Sequence, residues 1–549
     1  MENFQKRKQH LVRIEEIVLG LEEDEALLAD RIRGILGISE EEIVGYAVAK
    51  KAVDSRKKDK IMLVYSVDVE IKNPEDYFFK TSAMIKGKVK RHRIRLISPY
   101  RYEIRMAELA ENEIRPVIIG SGPSGLFAGL VLARAGLKPI IIERGKTVEE
   151  RIADVKTFQE TGKLDAESNV QFGEGGAGTF SDGKLYTVID DPRKKFIFDE
   201  LMQAGAPSEI AIEAQPHIGT DKLREVVKNI RQKIVRLGGE VRFETMLTDI
   251  EMESGEIVQA IFASGEKMAV EELILATGHS ARDTFAMLHE KGLRMEAKPF
   301  AIGVRIEHAA TMINQAQYGE FFAHPKLKTA RYKLVAHLDN NRPVYTFCMC
   351  PGGYVMAAAS EEGGVVTNGM SEYAQDGQNS NSALLVNVLP ADFATDHPLA
   401  GVEFQRTWEK KAFELGGKNF QAPAQLVGDF LQNNPSEKIG EITPTYGPGV
   451  TMTSLNSCLP EYVLASLRAA LPILDRKIKG FAHPKAVLTG VETRSSSPVK
   501  ILRDETFQSN VRGVYPTGEG SGYAGGIISA AIDGMRVAEA IIEKRLADK

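Results

Sequence analysis

Cysteine is scarce in this chain, with 3 residues among 549. A disulfide framework is therefore excluded, and a reducing, cytoplasmic environment is expected. An excess of one charge is also lacking, because 70 lysines and arginines stand against 75 aspartates and glutamates, for a net charge of −5. This balance argues against nucleic acid or an anionic membrane surface as the main partner.

Long apolar runs are rare as well. Residues 116–133 form an uncharged stretch long enough to suggest a membrane span, but glycine, serine and proline cluster in its first half, which favours a nucleotide-binding turn. The first ten residues contain no apolar segment of the signal-peptide type. We therefore expect neither export nor a membrane partner.

The most informative segment is RPVIIGSGPSGLFAGLVLARAGLKPIIIER, residues 115–144. It predicts a strand, a glycine turn, a helix and a second strand, with G-x-G-x-x-G directly after the first strand. The glycines permit a tight turn, close approach of the backbone to a pyrophosphate and close helix packing, and the helix N-terminus attracts phosphate. The residues expected to bind a dinucleotide here are Gly120, Gly122, Pro123, Ser124 and Gly125.

An acid closes the second strand. Glu143 follows Gly120 by 23 residues, where a carboxylate accepts hydrogen bonds from the adenosine ribose. It disfavours a 2′-phosphate, so NADP is not expected at this site. Arg144, the next residue, is a further candidate for cofactor contact. The alternative, a glycine-rich turn in another α/β fold, leaves Glu143 unexplained.

Two further segments distinguish FAD from NAD. Residues 241–243, 247–252 and 257–263 predict a short meander, and LILATG, residues 273–278, predicts a strand and turn after it. GVYPTGEGSGYAGG, residues 513–526, precedes a C-terminal helix. This order resembles the glutathione-reductase-like flavoproteins with two dinucleotide-binding domains. The resemblance implies that the ATG turn passes close to FAD and that the late glycine segment reaches the flavin.

The late segment departs from that family in one position, since it carries Glu519 where an aspartate is usual. Its alternative interpretation is a plain glycine-rich loop. Backbone N–H groups of residues 524–527 would lie near the flavin and would stabilise negative charge on it. The cofactor-binding residues implied by these segments are Leu247, Thr277, Gly278, Gly518, Glu519, Ala524, Gly525, Gly526 and Ile527.

A second G-x-G-x-x-G, residues 173–178, lacks a preceding apolar strand and a following small-residue helix. It is therefore not read as an NAD site, and a nicotinamide such as NADH would bind transiently as an electron donor. Its position resembles that of the loop that wraps the flavin in such proteins. The residues assigned to FAD on this ground are Gly176, Gly178, Thr179, Ser181 and Lys184.

Together, FGEGGAGTFSDGKL, ATGHSARDTF, KPFAIGVRIEH, FCMCPGGYV and GVETRSSSPV resemble an uncharacterised family of FAD-dependent (NAD/FAD-utilising) dehydrogenases over nearly the whole chain. The implied fold is α/β: a three-layer β/β/α Rossmann-like FAD-binding domain, an inserted α+β substrate domain and a small N-terminal α+β domain. The expected domains are residues 1–110 (N-terminal), 111–295 and 486–549 (FAD-binding) and 296–485 (inserted).

The N-terminal domain has the pattern of strand, helix, strand and strand. Strands are predicted at residues 10–21, 44–53 and 60–71, and a helix at residues 24–36 that ends at Gly37. Ser39, with Glu41 and Glu42, indicates a further helix start that Ser39 caps.

Three residues are candidates for the chemistry. His279 follows the ATG turn and is a candidate general acid or base, or else a turn residue that touches the dinucleotide. Arg305 is a candidate for binding a substrate carboxylate, or else part of a salt-bridged strand. Arg494, beside three serines, is a candidate anion-binding residue, or else part of a polar turn.

Cys348 and Cys350 share one face of a predicted strand, as residues two apart do. They are either a redox pair near the flavin or inert buried thiols. Their C-x-C spacing is not that of the flavin disulfide reductases, and no partner at suitable spacing indicates a metal.

The favoured function is an FAD-dependent oxidoreductase that exchanges a hydride with a small organic substrate at flavin N5. One alternative is a flavin-dependent RNA-modifying enzyme, suggested by the basic run at residues 86–95. That run is more simply a solvated face. The other alternative is a non-catalytic flavin-bound sensor or scaffold. The sequence indicates neither the substrate nor the oligomeric state.

Overall fold

A computed structural model describes residues 11–72, 93–98 and 100–548. The chain separates into two compact units. The first comprises Met1–Glu103, Pro207–Pro216 and Gln317–Lys328, and the second comprises the rest of the chain. The domain borders expected at residues 110, 295 and 485 stay predictions.

The first unit contains an antiparallel sheet with one face against a helix. Its strands, in the spatial order β2-β3-β1-β4, are β1 Leu11–Gly20, β2 Ile43–Asp54, β3 Met62–Ile71 and β4 Ile94–Ile97. Every second residue of β3 is buried, as expected for a half-covered sheet. Helix α1, Leu27–Leu36, ends at Gly37 in the left-handed conformation. The predicted strand–helix–strand–strand order is confirmed.

One local expectation in this unit was wrong. Ser39 and Glu42 form a capping box, as the pattern indicated, but the box opens a single 3-10 turn, Glu40–Glu42, and not an α-helix. The chain then enters β2. The basic run falls mainly outside the described residues. Of its members, Arg93 and Arg95 are described, and Arg95 forms an ion pair with Glu15 at 3.1 Å.

The second unit contains a five-stranded parallel sheet in the order β23-β11-β5-β6-β7. Its strands are β5 Val117–Ile119, β6 Ile140–Ile142, β7 Glu240–Arg242, β11 Leu273–Leu275 and β23 Val514–Pro516. The C-terminal segment thus returns to the sheet beside the strand of the ATG turn.

A three-stranded antiparallel meander and a layer of helices cover the two faces of this sheet. The meander strands are β8 Leu247–Glu253, β9 Glu256–Phe262 and β10 Lys267–Ala269. Val117, Ile119 and Leu275 share a buried core with the meander, whereas Ile118 and Ile141 point at Gly129 in the helix layer. The β/β/α layering is confirmed.

The meander itself differs from the prediction at both ends. Residues 241–243 were expected to form its first strand, but residues 240–242 are the edge strand of the parallel sheet. The meander gains β10 as its third strand. Strand propensity is the same in both settings, so local sequence could not decide which sheet takes the segment.

The remainder of this unit is organised around a seven-stranded sheet, in the order β14-β15-β18-β13-β21-β19-β20, with two smaller strand pairs, β12-β22 and β16-β17. The strands are β12 Met295–Ala297, β13 Phe300–Ala309, β14 Val335–Ala336, β15 Val344–Cys350, β16 Tyr354–Ala357, β17 Thr367–Met370, β18 Asn379–Val388, β19 Ala422–Leu426, β20 Val450–Met452, β21 Val487–Glu492 and β22 Val499–Ile501.

Among the described residues, the helices that follow α1 are α2 Pro123–Arg134, α3 Val148–Thr161, α4 Arg193–Gln203, α5 Thr220–Arg236, α6 Arg282–Glu290, α7 Ala310–Tyr318, α8 Ala400–Leu415, α9 Val427–Gln432, α10 Glu461–Lys477 and α11 Ile527–Ala547. Within the described ranges, no helix is both long and apolar enough to cross a membrane. The uncharged stretch of residues 116–133 is split between β5, a turn and α2.

Candidate functional site

Three glycine-containing segments that are distant in sequence meet at the carboxyl end of the parallel sheet. Gly120 packs so closely on the ATG turn that a Cβ would lie 2.6 Å from the Ala276 carbonyl oxygen. A Cβ on Gly518 would lie 2.9 Å from Ser124 Cβ, and one on Gly520 would lie 1.8 Å from the backbone carbonyl oxygen of Thr277. The fingerprint, the ATG turn and the late glycine segment therefore form one site, at the sheet edge where α/β folds bind ligands.

Two helix N-termini open onto this site. Helices α2 and α11 begin after Gly122 and Gly526, and no described side chain caps either N-terminus. Gly178 lies between them, because a Cβ there would be 3.3 Å from Ile527 Cγ1 and 4.0 Å from Pro123 Cγ. Uncapped N–H groups at two converging helix ends are suited to an anionic ligand.

The acid after β6 holds the two glycine loops together. Glu143 is 5% exposed, and its Oε2 accepts hydrogen bonds from the N–H (3.0 Å) and hydroxyl (2.6 Å) of Ser121. Its Oε1 accepts from the N–H groups of Gly145 and Gly173, each at 3.0 Å. A carboxylate at this place thus organises the backbone that faces the dinucleotide.

The second glycine motif is a loop, as expected, that leads into a 3-10 turn at Ala177–Phe180. Arg151, which sequence reasoning missed, is fully buried beneath it and donates to the carbonyl oxygens of Asn169, Val170, Gly173, Glu174 and Gly176. Burial lowers the pKa of Arg151 to about 10. Because an internal arginine has no motif of its own, only the fold could reveal it.

His279 lies at the meeting point of the three segments. Its Nδ1 is 3.4 Å from Glu519 Oε1, whereas its Nε2 is buried and has no hydrogen-bond partner among the described residues. Thr277 Oγ1, two residues earlier, is buried without a described partner too. Buried polar atoms are usually paired, so these two atoms mark a place for a ligand.

Open space beside the same atoms fits a bound cofactor. No described atom lies within 4 Å of a Cβ built on Gly278 or Gly525, although both residues border the site. The glycine cradle, the two open helix ends and the orphaned atoms together match the phosphates and polar edge of a dinucleotide such as FAD.

Comparison with known proteins agrees with this geometry. Residues 114–315 match the family model of the pyridine nucleotide-disulphide oxidoreductases, and residues 299–495 match the model described as FAD-dependent protein, C-terminal domain-like. An uncharacterized protein of Clostridium beijerinckii is 49% identical over 535 residues, 97% of this chain and 99% of that protein. The chain belongs to a family of FAD-dependent oxidoreductases. FAD is its cofactor, and its fold is the α/β Rossmann-like FAD-binding fold with additional domains.

Residues 12–70 match a domain of unknown function. Among solved structures, a flavin-dependent brominase is 14% identical with a TM-score of 0.36, over 78% of this chain and 79% of that chain. A chain of the E. coli quinol fumarate reductase is 11% identical with a TM-score of 0.37, over 79% of this chain and 71% of that chain.

Arg305 lies away from any free ligand position. It is 0% exposed, and all of its guanidinium nitrogens donate to protein acceptors, namely Glu492, the Cys348 carbonyl oxygen, Asn381 and Asn368. These bonds leave no N–H for a substrate carboxylate. The geometry favours the alternative stated above, a salt-bridged strand.

Arg494 is likewise committed to protein partners. Its guanidinium pairs with Glu409 at 2.9 Å and donates to the hydroxyls of Ser280 and Ser360. Arg282 shares the same Glu409 carboxylate at 2.7 Å, and the two arginines hold the pKa of Glu409 far below its usual range despite burial. This buried cluster joins the turn after β11 to the end of β21 through Ser280, the residue that follows His279.

The other predicted cofactor residues divide into two groups. Thr179 and Ser181 lie in and directly after the 3-10 turn that follows the second glycine motif, where their hydroxyls donate to the Glu174 and Gly178 carbonyl oxygens. The remaining three make contacts elsewhere: Arg144 pairs with Glu167 and Asp283, Leu247 packs in the meander core, and Lys184 lies against Asp182 and two cysteines.

Asp533 is a site residue that sequence reasoning missed. It lies inside α11, where its Oδ2 accepts hydrogen bonds from the Gly518 N–H at 2.8 Å and the Thr517 hydroxyl at 2.9 Å. Its carboxylate also pairs with Arg503 at 2.7 Å. In this chain Asp533, and not Glu519, anchors the backbone of the late glycine segment.

Over the described ranges, no cluster of three or more His, Cys, Asp or Glu side chains could hold a metal ion.

Proposed function

We propose that the protein is an FAD-dependent dehydrogenase of the glutathione-reductase-like group that exchanges a hydride with a small organic substrate. The observation that carries this proposal is His279, with one ring nitrogen beside Glu519 and the other buried and without a described partner at the convergence of three cofactor-binding segments. An imidazole placed in this way supports a reaction that moves a proton together with a hydride.

The cofactor would be held by this chain's backbone. The N-terminus of α2 would face the pyrophosphate, the loop of residues 173–178 would wrap the dinucleotide, and the N-terminus of α11 would stabilise negative charge. Bound FAD supplies two-electron chemistry at flavin N5. We propose NADH as the electron donor. It would bind transiently, because FAD would occupy the one strand-linked glycine fingerprint of the sequence.

His279 would hold the proton at Nε2. The Glu519 carboxylate beside Nδ1 orients the ring, as a carboxylate does for a general acid–base histidine. The side chain of Glu519 is 30% exposed, whereas that of His279 is 10% exposed. The pair therefore connects the buried reaction site with solvent and gives the proton a way out.

Lys298 is the better candidate for binding an anionic group of the substrate. Its Nζ donates to Ser496 Oγ at 2.8 Å, and burial lowers its pKa, an effect that the Glu519 carboxylate opposes. Lys298 thus belongs to the neighbourhood of the His279–Glu519 pair, whereas every guanidinium nitrogen of Arg305 and Arg494 already donates to a protein acceptor. We propose a small organic substrate with an anionic group.

The test is anaerobic reduction of the purified flavoprotein, followed by its visible absorption. Bleaching by NADH, and by small organic acids or alcohols offered as substrates, is expected in the native chain. His279→Asn should keep the flavin spectrum and slow the substrate-linked step by about 10²- to 10⁴-fold, the usual contribution of general acid–base catalysis.

His397→Asn is the matched control, because His397 is exposed and distant in sequence from the site. Lys298→Met should raise KM for acidic substrates more than it lowers kcat. Reduction of His279→Asn at the native rate would contradict the assigned role. A colourless protein that does not take up FAD would contradict the whole proposal.

A further inference from the structure

The two cysteines of β15 lie on a distorted piece of strand. The pairing of β15 with β18 shifts register between Phe347 and Cys350, which marks a β-bulge, and Cys348 has the left-handed φ of 43°. Bulges re-aim side chains next to functional sites, and a non-glycine residue in this conformation is uncommon. Cys348 is partly exposed, whereas Cys350 is buried.

The ammonium of a lysine from a distant segment lies close to both sulfurs. Lys184 Nζ lies 3.8 Å from Sγ of Cys348 and 3.8 Å from Sγ of Cys350. The same ammonium is 3.1 Å from Asp182 Oδ2, and Asp182 is itself buried. The Lys184 ammonium therefore lies beside one carboxylate and two sulfurs.

The charges around the pair favour a thiolate at Cys348. The Cys350 thiol donates to the Cys348 carbonyl oxygen at 3.2 Å. The neighbouring Cys350 side chain, together with Lys184 and the Arg305 guanidinium, holds the pKa of Cys348 well below its usual range, against burial and the Asp182 carboxylate. The neighbouring Cys348 side chain and burial raise the pKa of Cys350. Glu492 and Tyr332 also face the cluster, and the pKa of each is raised, mainly by burial.

The third cysteine provides an internal reference. Cys458 is 0% exposed, and burial raises its pKa to about 12. Its Sγ hydrogen bonds the Leu455 carbonyl oxygen at 3.4 Å. A thiol of this kind is inert, so the chain contains both a reactive candidate and a matched unreactive one.

We propose that Cys348, Cys350 and Lys184 form a redox-active dithiol site that reduces low-molecular-weight disulfides. Cys348 is the attacking thiolate, Lys184 is its counter-ion and Cys350 is the resolving thiol. The two cysteines belong to β15 of the seven-stranded sheet. Their proposed reaction does not depend on the hydride transfer proposed above.

The reaction balances with a small disulfide as the oxidant. Cys348 thiolate attacks one sulfur of the small disulfide, whose S–S bond breaks, so that a mixed disulfide forms and one thiolate leaves. Cys350 then attacks Cys348 Sγ, the Cys348–Cys350 bond forms and the second small thiolate leaves. The Cys350 proton passes to a departing thiolate. The protein loses two electrons, and the small disulfide becomes one thiol and one thiolate, which takes its proton from solvent.

The first experiment measures alkylation of the native, FAD-containing chain by iodoacetamide, with peptide mapping at each cysteine. Cys348 should react at neutral pH with a rate that stays flat down to its low pKa, while Cys458 stays unmodified. The pH dependence of the ultraviolet thiolate absorbance should show the same low pKa without any substitution.

Lys184→Met should move the pH below which the alkylation rate of Cys348 falls upward by about one unit or more, because a counter-ion of the thiolate is lost, and Lys184→Arg should restore most of the native pH profile. Continued protection of Cys458 shows that each variant is folded. A Cys348 that titrates like an ordinary thiol, or that reacts only after unfolding, would overturn the proposal.

The second experiment uses oxidised glutathione. The native chain should lose two hydrogens in mass and carry no adduct, with the new bond mapped to Cys348 and Cys350. Cys350→Ser should instead retain glutathione on Cys348, and Cys458→Ser should behave as the native chain. A stable glutathione adduct on the native chain, or none on Cys350→Ser, would remove Cys350 or Cys348 from its assigned role.

Discussion

The Oε1 atom of Glu143 accepts a hydrogen bond of 3.0 Å from the backbone N–H of Gly173, 30 residues later in the chain. The acid that the fingerprint assigned to a ribose is thus also the link between the first βαβ unit and the loop expected to wrap the flavin. We therefore propose that this one carboxylate couples cofactor binding to local folding.

Glu143→Ala removes the acceptor of three backbone N–H groups, those of Ser121, Gly145 and Gly173. Each buried group left unpaired costs about 1–3 kcal/mol. We expect a loss of at least about 2 kcal/mol in the free energy of unfolding of the FAD-free chain, together with weaker FAD retention. Denaturant unfolding and flavin release measure the two effects.

The control for Glu143 is Glu167→Ala. Glu167 pairs with Arg144 in the same region, but its side chain is 49% exposed, so we expect a change below about 1 kcal/mol. Equal unfolding midpoints for Glu143→Ala and the native chain would refute the linking role.

Gly278→Val and Gly525→Val separate cofactor contact from folding. No described atom lies within 4 Å of a Cβ at either position, so the FAD-free variants should unfold within about 0.5 kcal/mol of the native chain. FAD affinity should nevertheless fall, since each new side chain enters the space assigned to the cofactor. Fluorescence of released FAD gives the affinity.

Gly34→Ala is the matched glycine substitution, since its Cβ would also meet no described atom and Gly34 belongs to α1 of the other unit. It should leave FAD affinity unchanged. Native affinity in both Gly278→Val and Gly525→Val would mean that the cofactor does not occupy this space.

Arg305→Met tests a structural role against the substrate role considered from sequence. It leaves Glu492 buried without its partner, and we expect a loss of about 3–5 kcal/mol in stability. The double variant with Glu492→Leu should recover part of that loss. Denaturant unfolding of the four chains completes a double-mutant cycle.

Lys485→Met, which breaks an exposed pair with Glu441, should cost less than about 1 kcal/mol. If Arg305→Met instead raised KM and left stability unchanged, the substrate role would regain support.

His308 predicts acid sensitivity. Burial lowers its pKa from 6.5 to about 4, and its Nε2 bonds the Phe481 carbonyl oxygen at 2.7 Å. Between these pH values the unfolded chain binds a proton that the folded chain does not, so stability falls as pH falls, by at most about 1.4 kcal/mol per pH unit.

The slope of unfolding free energy against pH should become shallower in His308→Gln between pH 6.5 and about 4. His397→Gln, at an exposed position, should keep the native slope. Identical slopes in all three chains would show that His308 does not contribute.

Local pattern was sufficient for elements whose signals are short-range. The strand–turn–helix of the fingerprint, the strand before the ATG turn, the end of α1 at Gly37 and the long C-terminal helix follow from glycine placement and apolar periodicity. Residues 241–243 were assigned to the wrong sheet, because strand propensity does not identify a strand's neighbours.

The role of each side chain in the site depends on partners that lie far away in the sequence. Arg305 and Arg494 carry the same guanidinium that binds substrates elsewhere, and only their partners show that this charge is already neutralised. Asp533 and Arg151 hold the cofactor loops from within helices, where no motif marks them.

The sequence by itself determined the cofactor class, because backbone approach to a pyrophosphate requires glycine at fixed local spacing and a carboxylate after the second strand. Only the tertiary structure decided which charged groups remain available for chemistry. Lys184 and Cys348 are 164 residues apart in the chain, and the electrostatic environment that makes a thiolate exists only once folding brings the ammonium and the sulfur together in a buried, weakly screened place.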